Sequence, residues 1–188
     1  MVDKLGERFG VKVHELKVGF KYIGPVMTET NALIGGEESG GFGFRGHLPE
    51  RDGILAGLMV AQMIVDYGMP LSRILAHLED LVGPHAYTRH DIRLSRDGYD
   101  QRREEMYARI KSNPPTTLAG ARVVRTRDDD GFKFYMDDDS WVLVRFSGTE
   151  PLIRVYSEAT TRERVDELLA ALEAYLGLSE QVAAGAAH

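Results

Sequence analysis

The sequence predicts a partial α/β unit followed by an α+β domain that has a four-stranded antiparallel sheet and two helices. Up to residue 82, short apolar runs, glycine-rich loops and helical patterns follow one another, which is the order of an α/β structure. From residue 83 onward, four strand-like runs lie between two helical patterns, which is typical of an α+β domain. We therefore predict domains at residues 1–82 and 83–178, with a flexible tail at residues 179–188.

Apolar periodicity predicts the first elements of the first unit. Val2–Phe9 has the pattern of a short amphipathic helix, and the alternation of Val11, Val13 and Leu16 predicts a strand after it. Ala32–Ile34 predicts a second, brief buried strand that ends in a glycine-rich loop. Because two short strands are fewer than a helix-covered sheet usually has, we expect this unit to hold only half of a complete domain.

Two helices complete the first unit. The apolar run from Gly53 to Val65 is shorter than the roughly 20 residues that span a bilayer, so it predicts a buried core helix. Asp52 caps this helix and Gly68 ends it, whereas His47 is interpreted as a loop residue rather than an acid–base group. A further helix is predicted from Ser72 to Leu81.

The second unit opens with "YTRHDIRL", which alternates like a strand, and continues with a helix over Tyr99–Ser112 that ends before Pro114. The four strands of the predicted sheet are "ARVVRTR", "FKFYM", "WVLVRF" and "LIRVYSEA". The spacing of Thr160 and Glu163 predicts a capping box at the start of the last helix. The apolar face of that helix consists of Val165, Leu168, Leu169, Leu172, Tyr175 and Leu176.

Composition excludes several classes of function. With 188 residues and no cysteine, the chain can form neither disulfides nor thiolate metal sites, and we expect a cytoplasmic location. The net charge of −6 and the lack of a basic stripe with interleaved aromatic residues predict no nucleic-acid partner. We also expect no membrane association and no secretory signal.

The densest chemical signal is "RFSGTEPLIR", from Arg145 to Arg154. A guanidinium group can donate two parallel hydrogen bonds to two oxygens of one phosphate. Hydroxyls and amides in a tight turn form an anion-binding concavity. The turn therefore predicts a phosphate site. The alternative is a plain hairpin whose arginines pair with nearby acids.

A second signal is "GGEESGG", from Gly35 to Gly41. The glycines are compatible with a solvated turn, or with a rigid loop that presents Glu37 and Ser39 to a polyhydroxylated ligand. Beside a phosphate loop, the second interpretation predicts a phosphosugar site, with Glu37 accepting and Ser39 donating hydrogen bonds.

These two loops, together with "VGFKYI" before them and "GHLPERDGILAGL" between them, resemble the α-D-phosphohexomutase family of phosphoglucomutase and phosphomannomutase. The four stretches stand in the family's order and cover nearly the whole chain. They correspond to only the later part of a four-domain pattern, namely part of domain 3 and all of domain 4. The resemblance implies a C-terminal portion of such an enzyme.

The resemblance implies a reaction and a set of contacts. The complete enzyme moves phosphate between O1 and O6 of a hexose through a bisphosphate intermediate. Glu37 and Ser39 match the contacts to the sugar 3- and 4-hydroxyls, which do not separate glucose from mannose, and Lys21 matches a ligand contact of the glucose-preferring branch. The residues that match the phosphate clamp are Arg145, Ser147, Gly148, Thr149 and Arg154.

The family's phosphorylated serine and its magnesium loop are not found in this chain. "DDDG" at Asp128–Gly131 and "DDDS" at Asp137–Ser140 are interpreted as turns, so we assign no catalytic residue and no metal here, with Mg²⁺ belonging to the complete enzyme. We expect the chain to bind a hexose phosphate or hexose 1,6-bisphosphate without catalysis, to need the missing N-terminal domains for turnover, and to self-associate through its incomplete sheet. The alternative is a stand-alone phosphosugar-binding or sensor module.

Overall fold

The computed structural model describes residues 1–178 and divides the chain into two compact units, Met1–Gly83 and the part that begins at Pro84. The tail predicted at residues 179–188 lies outside the described residues. Each unit has its own secondary structure, so each is described by itself.

The first unit contains four helices and one small antiparallel hairpin. Its elements are α1 (Val2–Phe9), α2 (Phe20–Thr30), β1 (Ile34–Gly36), β2 (Phe42–Phe44), α3 (Gly53–Tyr67) and α4 (Leu71–Val82). A small apolar cluster of Phe20, Ile23 and Met27 lies on α2. The three predicted helices are therefore present, and α2 is an additional one.

The predicted strand over Val11, Val13 and Leu16 is wrong, because residues 11–17 form no strand. The amide of Val11 instead donates to the Gly6 carbonyl at 2.8 Å, which folds this segment back onto the end of α1. The brief strand predicted at Ala32–Ile34 is displaced toward the glycines as β1, and Ile34 is 52% exposed rather than buried.

Helix α3 begins after Asp52 and ends before Gly68, as predicted, but it is not a core helix. None of its 15 residues is buried, and Ile54, Leu58 and Val65 are 82%, 63% and 74% exposed. The cause is the size of the sheet: β1 and β2 have three residues each and cannot cover a helix of this length.

Within residues 1–178, no single helix is long and apolar enough to cross a membrane. Helices α3 and α4 pass the length and composition criteria only as a pair, which is bent by 79° at the break between them.

Over its described residues, 84–178, the second unit is a six-stranded antiparallel sheet with two helices. Its elements are β3 (Ala86–Arg93), α5 (Tyr99–Ser112), β4 (Thr117–Leu118), β5 (Ala121–Arg127), β6 (Phe132–Met136), β7 (Trp141–Phe146), β8 (Leu152–Ala159) and α6 (Arg162–Leu176). The strand order across the sheet is β3-β8-β7-β6-β5-β4. The four predicted strands are its centre.

The predicted count of four strands is too low by two. The opening segment of the unit joins the sheet as β3 through eight residue pairs with β8, and β4 adds two residues at the opposite edge. Both helices pack on one face of the sheet, where Ile110 of α5 and Leu168 and Leu172 of α6 meet Val144 and Val155 in one apolar core. The opposite face carries the alternate side chains of each strand.

The start of α6 differs from the predicted capping box by one residue. Thr161, not Thr160, is the N-cap, and its side chain accepts a hydrogen bond from the Arg164 amide at 3.2 Å. Glu163 then occupies the second helical position, one residue too early to complete a capping box.

A histidine contacts a buried carboxylate at the edge of the core of this unit. Glu173 of α6 is only 5% exposed at its side chain, and its Oε1 lies 2.7 Å from Nδ1 of His90 on β3. A buried carboxylate is costly unless it is paired, so the edge strand and the last helix depend on this contact.

Replacement of His90 by alanine should lower the free energy of unfolding by about 1–3 kcal/mol, because it leaves the Glu173 carboxylate buried without this partner. Urea denaturation of the chain measures this loss. In the same variant, Glu173→Leu should restore most of the stability by removing the buried charge. A double variant no more stable than His90→Ala would show that the pair does not explain the loss.

Candidate functional site

Two arginines face each other at the end of the central hairpin. Arg145 on β7 and Arg154 on β8 are direct partners in the antiparallel register, so their side chains lie on the same face. Like charges directly opposite each other destabilise a sheet, with Cβ atoms only about 5 Å apart. A bound anion would offset this repulsion.

Acidic residues flank the two arginines on both sides. Asp91 of β3 is the register partner of Arg154 and forms an ion pair with it at 3.8 Å. Arg145 Nη2 donates to Asp130 Oδ1 at 3.3 Å. These pairs are what the plain-hairpin alternative expects. However, Nε of Arg145 is buried and has no hydrogen-bond partner within residues 1–178.

The β7–β8 loop, residues 147–151, is tied closed by its own backbone. The Ser147 amide donates to the Leu152 carbonyl at 2.9 Å. The Ser147 hydroxyl accepts hydrogen bonds from the amides of Thr149 at 3.4 Å and Glu150 at 3.1 Å. Those two amides are therefore directed at Ser147, and these two bonds use the oxygen of the hydroxyl but not its proton.

Gly131 permits the "DDDG" turn to lie against Arg145. A Cβ atom at this position would stand 2.3 Å from the Val144 carbonyl oxygen and 2.8 Å from Cγ of Arg145, and φ is +85°. Only glycine tolerates that approach and that backbone conformation. The turn therefore supplies both the acid that contacts Arg145 and the space for its side chain.

In the first unit, Glu37 of the β1–β2 loop (residues 37–41) forms an ion pair with an arginine. Arg51 Nη1 donates to Glu37 Oε2 at 3.2 Å, and the Glu37 side chain is only 10% exposed. Gly41 makes this reach possible, because a Cβ there would stand 2.5 Å from Cδ of Arg51. One carboxylate oxygen of Glu37 is thus engaged by Arg51, and no side-chain hydrogen bond within residues 1–178 engages the other.

The other two sugar-site candidates of this unit are exposed. Ser39 lies at the tip of the β1–β2 loop, beside Glu37. Lys21 lies in the first turn of α2, with its ammonium group 4.9 Å from the centre of the Tyr22 ring. No hydrogen bond or ion pair in the described part of the chain joins Lys21 to the loop.

The loop after β2 is held by Asp52. Its Oδ1 accepts the amides of Ile54 and Leu55, and its Oδ2 lies 3.0 Å from Nε2 of His47. The Leu55 amide first, and then the bond to His47, lower the pKa of the Asp52 carboxyl. His47 is thus a loop residue that braces the start of α3, as interpreted from the sequence.

The two aspartate turns of the second unit contact separate cations. In the first turn, Asp128 pairs with Lys111, Asp129 with Arg127, and Asp130 with Arg145. In the second turn, Asp137 pairs with Arg122 and Asp138 with Arg164. Within residues 1–178, no group of three or more His, Asp or Glu side chains is placed to hold a metal ion. The residues present therefore do not fit a magnesium site.

Two contacts of the β7–β8 loop were not anticipated from the sequence. The Tyr99 hydroxyl donates to the Ser147 carbonyl oxygen at 2.8 Å, and Arg96 Nη1 donates to the Thr149 carbonyl oxygen at 3.4 Å. Each lies about 50 positions from the loop in the chain. No local motif links such residues to a turn.

Family models match both the α/β unit and the α+β unit. Residues 1–81 match the α/β/α domain III of phosphoglucomutase/phosphomannomutase, and residues 105–174 match the C-terminal domain of the same family. The chain belongs to the phosphoglucomutase/phosphomannomutase family.

Relatives agree with this membership. A phosphoglucomutase/phosphomannomutase of Thermococcus kodakarensis is 32% identical over 169 residues, which are 90% of this chain and 34% of that protein. A phosphoglucosamine mutase of Heliobacterium modesticaldum is 29% identical over 88% of this chain and 31% of its own length. The chain spans about a third of the length of the curated relatives it matches.

Solved structures show the same coverage. A proposed phosphomannomutase of Thermus thermophilus is 34% identical, with a TM-score of 0.72 over 94% of this chain and 34% of that chain. The open form of the phosphoglucomutase parafusin from Paramecium is 23% identical with a TM-score of 0.68 over 95% of this chain and 35% of that chain, a likeness of fold alone.

The pKa of Asp52 leads to a prediction about pH. Because its folded-state pKa is lowered, Asp52 stabilises the folded chain above its ordinary pKa of 3.8, and this contribution is lost as the pH falls through the folded value. The stability advantage of the wild-type chain over Asp52→Asn should therefore be constant near neutral pH and shrink below 3.8. Hydrogen exchange at the Ile54 and Leu55 amides measures it locally. An advantage that grows in acid would contradict the assignment.

Gly131→Ala should lower the free energy of unfolding by more than the about 1–3 kcal/mol that left-handed backbone strain alone costs. The added methyl group would collide with the Val144 carbonyl and displace Arg145. Gly120→Ala is the matched control, since Gly120 has φ +77° but no atom within 4 Å of the added Cβ. Equal losses in urea denaturation would show that Gly131 is required for its conformation only.

Proposed function

We propose that this chain is the phosphosugar-binding part of a phosphohexomutase, an enzyme that moves phosphate between O1 and O6 of a hexose through a bisphosphate intermediate. The observation that carries the proposal is the register of Arg145 and Arg154, which places two cations opposite each other beside a loop rich in hydrogen-bond donors. Family membership supports the same ligand class.

In the second unit, each candidate residue has a distinct role toward a phosphate. Arg145 and Arg154 supply charge-assisted hydrogen bonds to phosphate oxygens. Ser147 donates its hydroxyl proton, which is polarised because the oxygen accepts two backbone amides. Gly148 and Thr149 contribute an amide and a hydroxyl at the exposed tip of the loop.

In the first unit, the candidate residues suit hydroxyl groups rather than phosphate. Glu37 accepts hydrogen bonds through the carboxylate oxygen that Arg51 does not engage. Ser39 donates from the exposed tip of the loop, and Lys21 offers an ammonium group from α2. Contacts of this kind at carbons 3 and 4 bind glucose and mannose alike. A relative named as a phosphoglucosamine mutase adds an aminosugar to the candidate substrates.

The chain positions a ligand and does not itself break the phosphate ester bond. A clamp that holds whichever phosphate is not reacting serves both halves of a bisphosphate cycle, since positioning is the larger part of catalysis in phosphoryl transfer. The serine and the magnesium loop that the family uses are assigned to its other domains, and among residues 1–178 no group of three or more His, Asp or Glu side chains could hold a metal ion. No observation on residues 1–178 favours a stand-alone sensor.

Three further expectations stay predictions. Self-association through the first unit is supported by the exposed apolar side chains of α3. A cytoplasmic location is supported only by the lack of cysteine. The need for N-terminal domains is supported by relatives about three times as long.

Titration calorimetry with glucose 1,6-bisphosphate tests the proposed function. The wild-type chain should bind saturably, and Arg145→Ala should weaken binding by about 1.5–3 kcal/mol, the range for hydrogen bonds to charged groups. Arg125→Ala is the control, because it removes the same charge from β5, where the guanidinium lies 3.5 Å from the centre of the Tyr135 ring. Absence of binding by a folded wild-type chain, or equal losses in both variants, would refute the proposal.

A further inference from the structure

A buried tyrosine holds the two ends of the β7–β8 loop together. Tyr99, the first residue of α5, is only 5% exposed. Its hydroxyl lies 2.8 Å from the Ser147 carbonyl oxygen and 3.1 Å from the Leu152 carbonyl oxygen, so one proton is shared between the start and the end of the loop. Burial raises the pKa of the Tyr99 hydroxyl, which keeps it a donor at neutral pH.

The residues just before Tyr99 hold the remainder of the loop. The amide of Leu94 donates to the Pro151 carbonyl at 2.9 Å, and Arg96 Nη1 donates to the Thr149 carbonyl at 3.4 Å. Residues 94–99 therefore contact carbonyls along the whole loop, although they belong to a different part of the sequence.

The direction of the Ser147 carbonyl decides the direction of the next amide. In a trans peptide the C=O and N–H bonds point to opposite sides. Because Tyr99 draws the Ser147 carbonyl inward, the Gly148 amide is directed away from Tyr99. That amide has no hydrogen-bond partner among the described residues, and Gly148 is exposed, so the N–H remains available to a ligand.

We propose that Tyr99 is a positioning residue of the β7–β8 loop, which sets the loop's span and turns the Gly148 amide toward a bound phosphate. This inference rests on the proposed phosphate binding by the loop. Tyr99 itself does not touch the ligand. Its hydroxyl acts through the Ser147 carbonyl.

Tyr99→Phe is the test, because it removes the hydroxyl and keeps the buried ring. Calorimetry with glucose 1,6-bisphosphate should show affinity lower by roughly three- to tenfold, the range for the loss of one neutral hydrogen bond. In the ligand-free chain, hydrogen exchange of the Gly148 and Thr149 amides should become faster, because the loop is less ordered.

The matched control is Tyr175→Phe. Tyr175 is partly buried and its hydroxyl donates to the Asn113 carbonyl oxygen at 2.8 Å, but it lies on α6 and does not contact the loop. Tyr99→Phe should lose more stability in urea than Tyr175→Phe, because the bond from Tyr99 to the Leu152 carbonyl is buried and the bond from Tyr175 is exposed. Only Tyr99→Phe should change the affinity and the exchange of the loop amides.

A second variant guards against loss of the fold in Tyr99→Phe. Arg96 is exposed, so Arg96→Ala should leave the chain folded and should accelerate hydrogen exchange of the loop amides. Arg102→Ala is its control, because it removes the same charge from an exposed position on α5 and should leave the exchange of the loop amides unchanged. Exchange of the loop amides at the wild-type rate in both Tyr99→Phe and Arg96→Ala would overturn the inference. So would faster exchange with unchanged affinity in Tyr99→Phe.

The two proposals fail in different ways. If the folded wild-type chain does not bind glucose 1,6-bisphosphate, the proposed function is refuted. The exchange measurements on the free chain then still decide whether Tyr99 orders the loop. If the wild type binds and Tyr99→Phe equals Tyr175→Phe in affinity, the function stands and the positioning role of Tyr99 is refuted.

Discussion

Electrostatic repulsion between Arg145 and Arg154 is the interaction around which the end of the central hairpin is arranged. The two residues are direct partners across β7 and β8, so neither can move away without breaking the register of the sheet. Asp91 and Asp130 lie on the outer sides of the pair and offset part of its charge. They leave the buried Nε of Arg145 without a partner in the described chain, and a ligand with several acceptor oxygens suits that arrangement.

The loop beside these arginines is ordered by residues distant in sequence. Amides of the loop donate to the Ser147 hydroxyl oxygen. Carbonyl oxygens of the loop accept hydrogen bonds from the segment that leads into α5. Such an arrangement fixes the donors before a ligand arrives, which lowers the entropy lost on binding. The core between the sheet and α6 supports the same strands from the opposite face.

Local patterns in the sequence predicted what depends on neighbouring residues. The α5 boundaries, the cap of α3 by Asp52, and the turn that carries Ser147 all follow from short-range chemistry. The burial of α3 did not, because it depends on how much sheet surrounds the helix, and β1 and β2 are too short to cover it. The contacts of Tyr99 and Arg96 with the β7–β8 loop were missed for a related reason, because they join positions about 50 residues apart. The same nonlocality hid the pairing of β3 with β8, which raised the strand count.

Both candidate loops share one electrostatic device: the residue expected to contact the ligand is already paired with a residue of opposite charge. Arg51 engages one oxygen of Glu37, and Asp130 engages one nitrogen of Arg145. An unpaired carboxylate would repel a ligand that carries phosphate groups, so on the proposed function the Arg51 contact lowers the electrostatic cost of a hydrogen bond from a ligand hydroxyl to Glu37. Asp130 has the converse effect, because it holds the guanidinium in place yet competes with the phosphate for it. On the proposed function, phosphate binding at the second loop requires the anion to outcompete the 3.3 Å contact between Asp130 and Arg145, which a dianion with three acceptor oxygens can do by bonding to several donors at once.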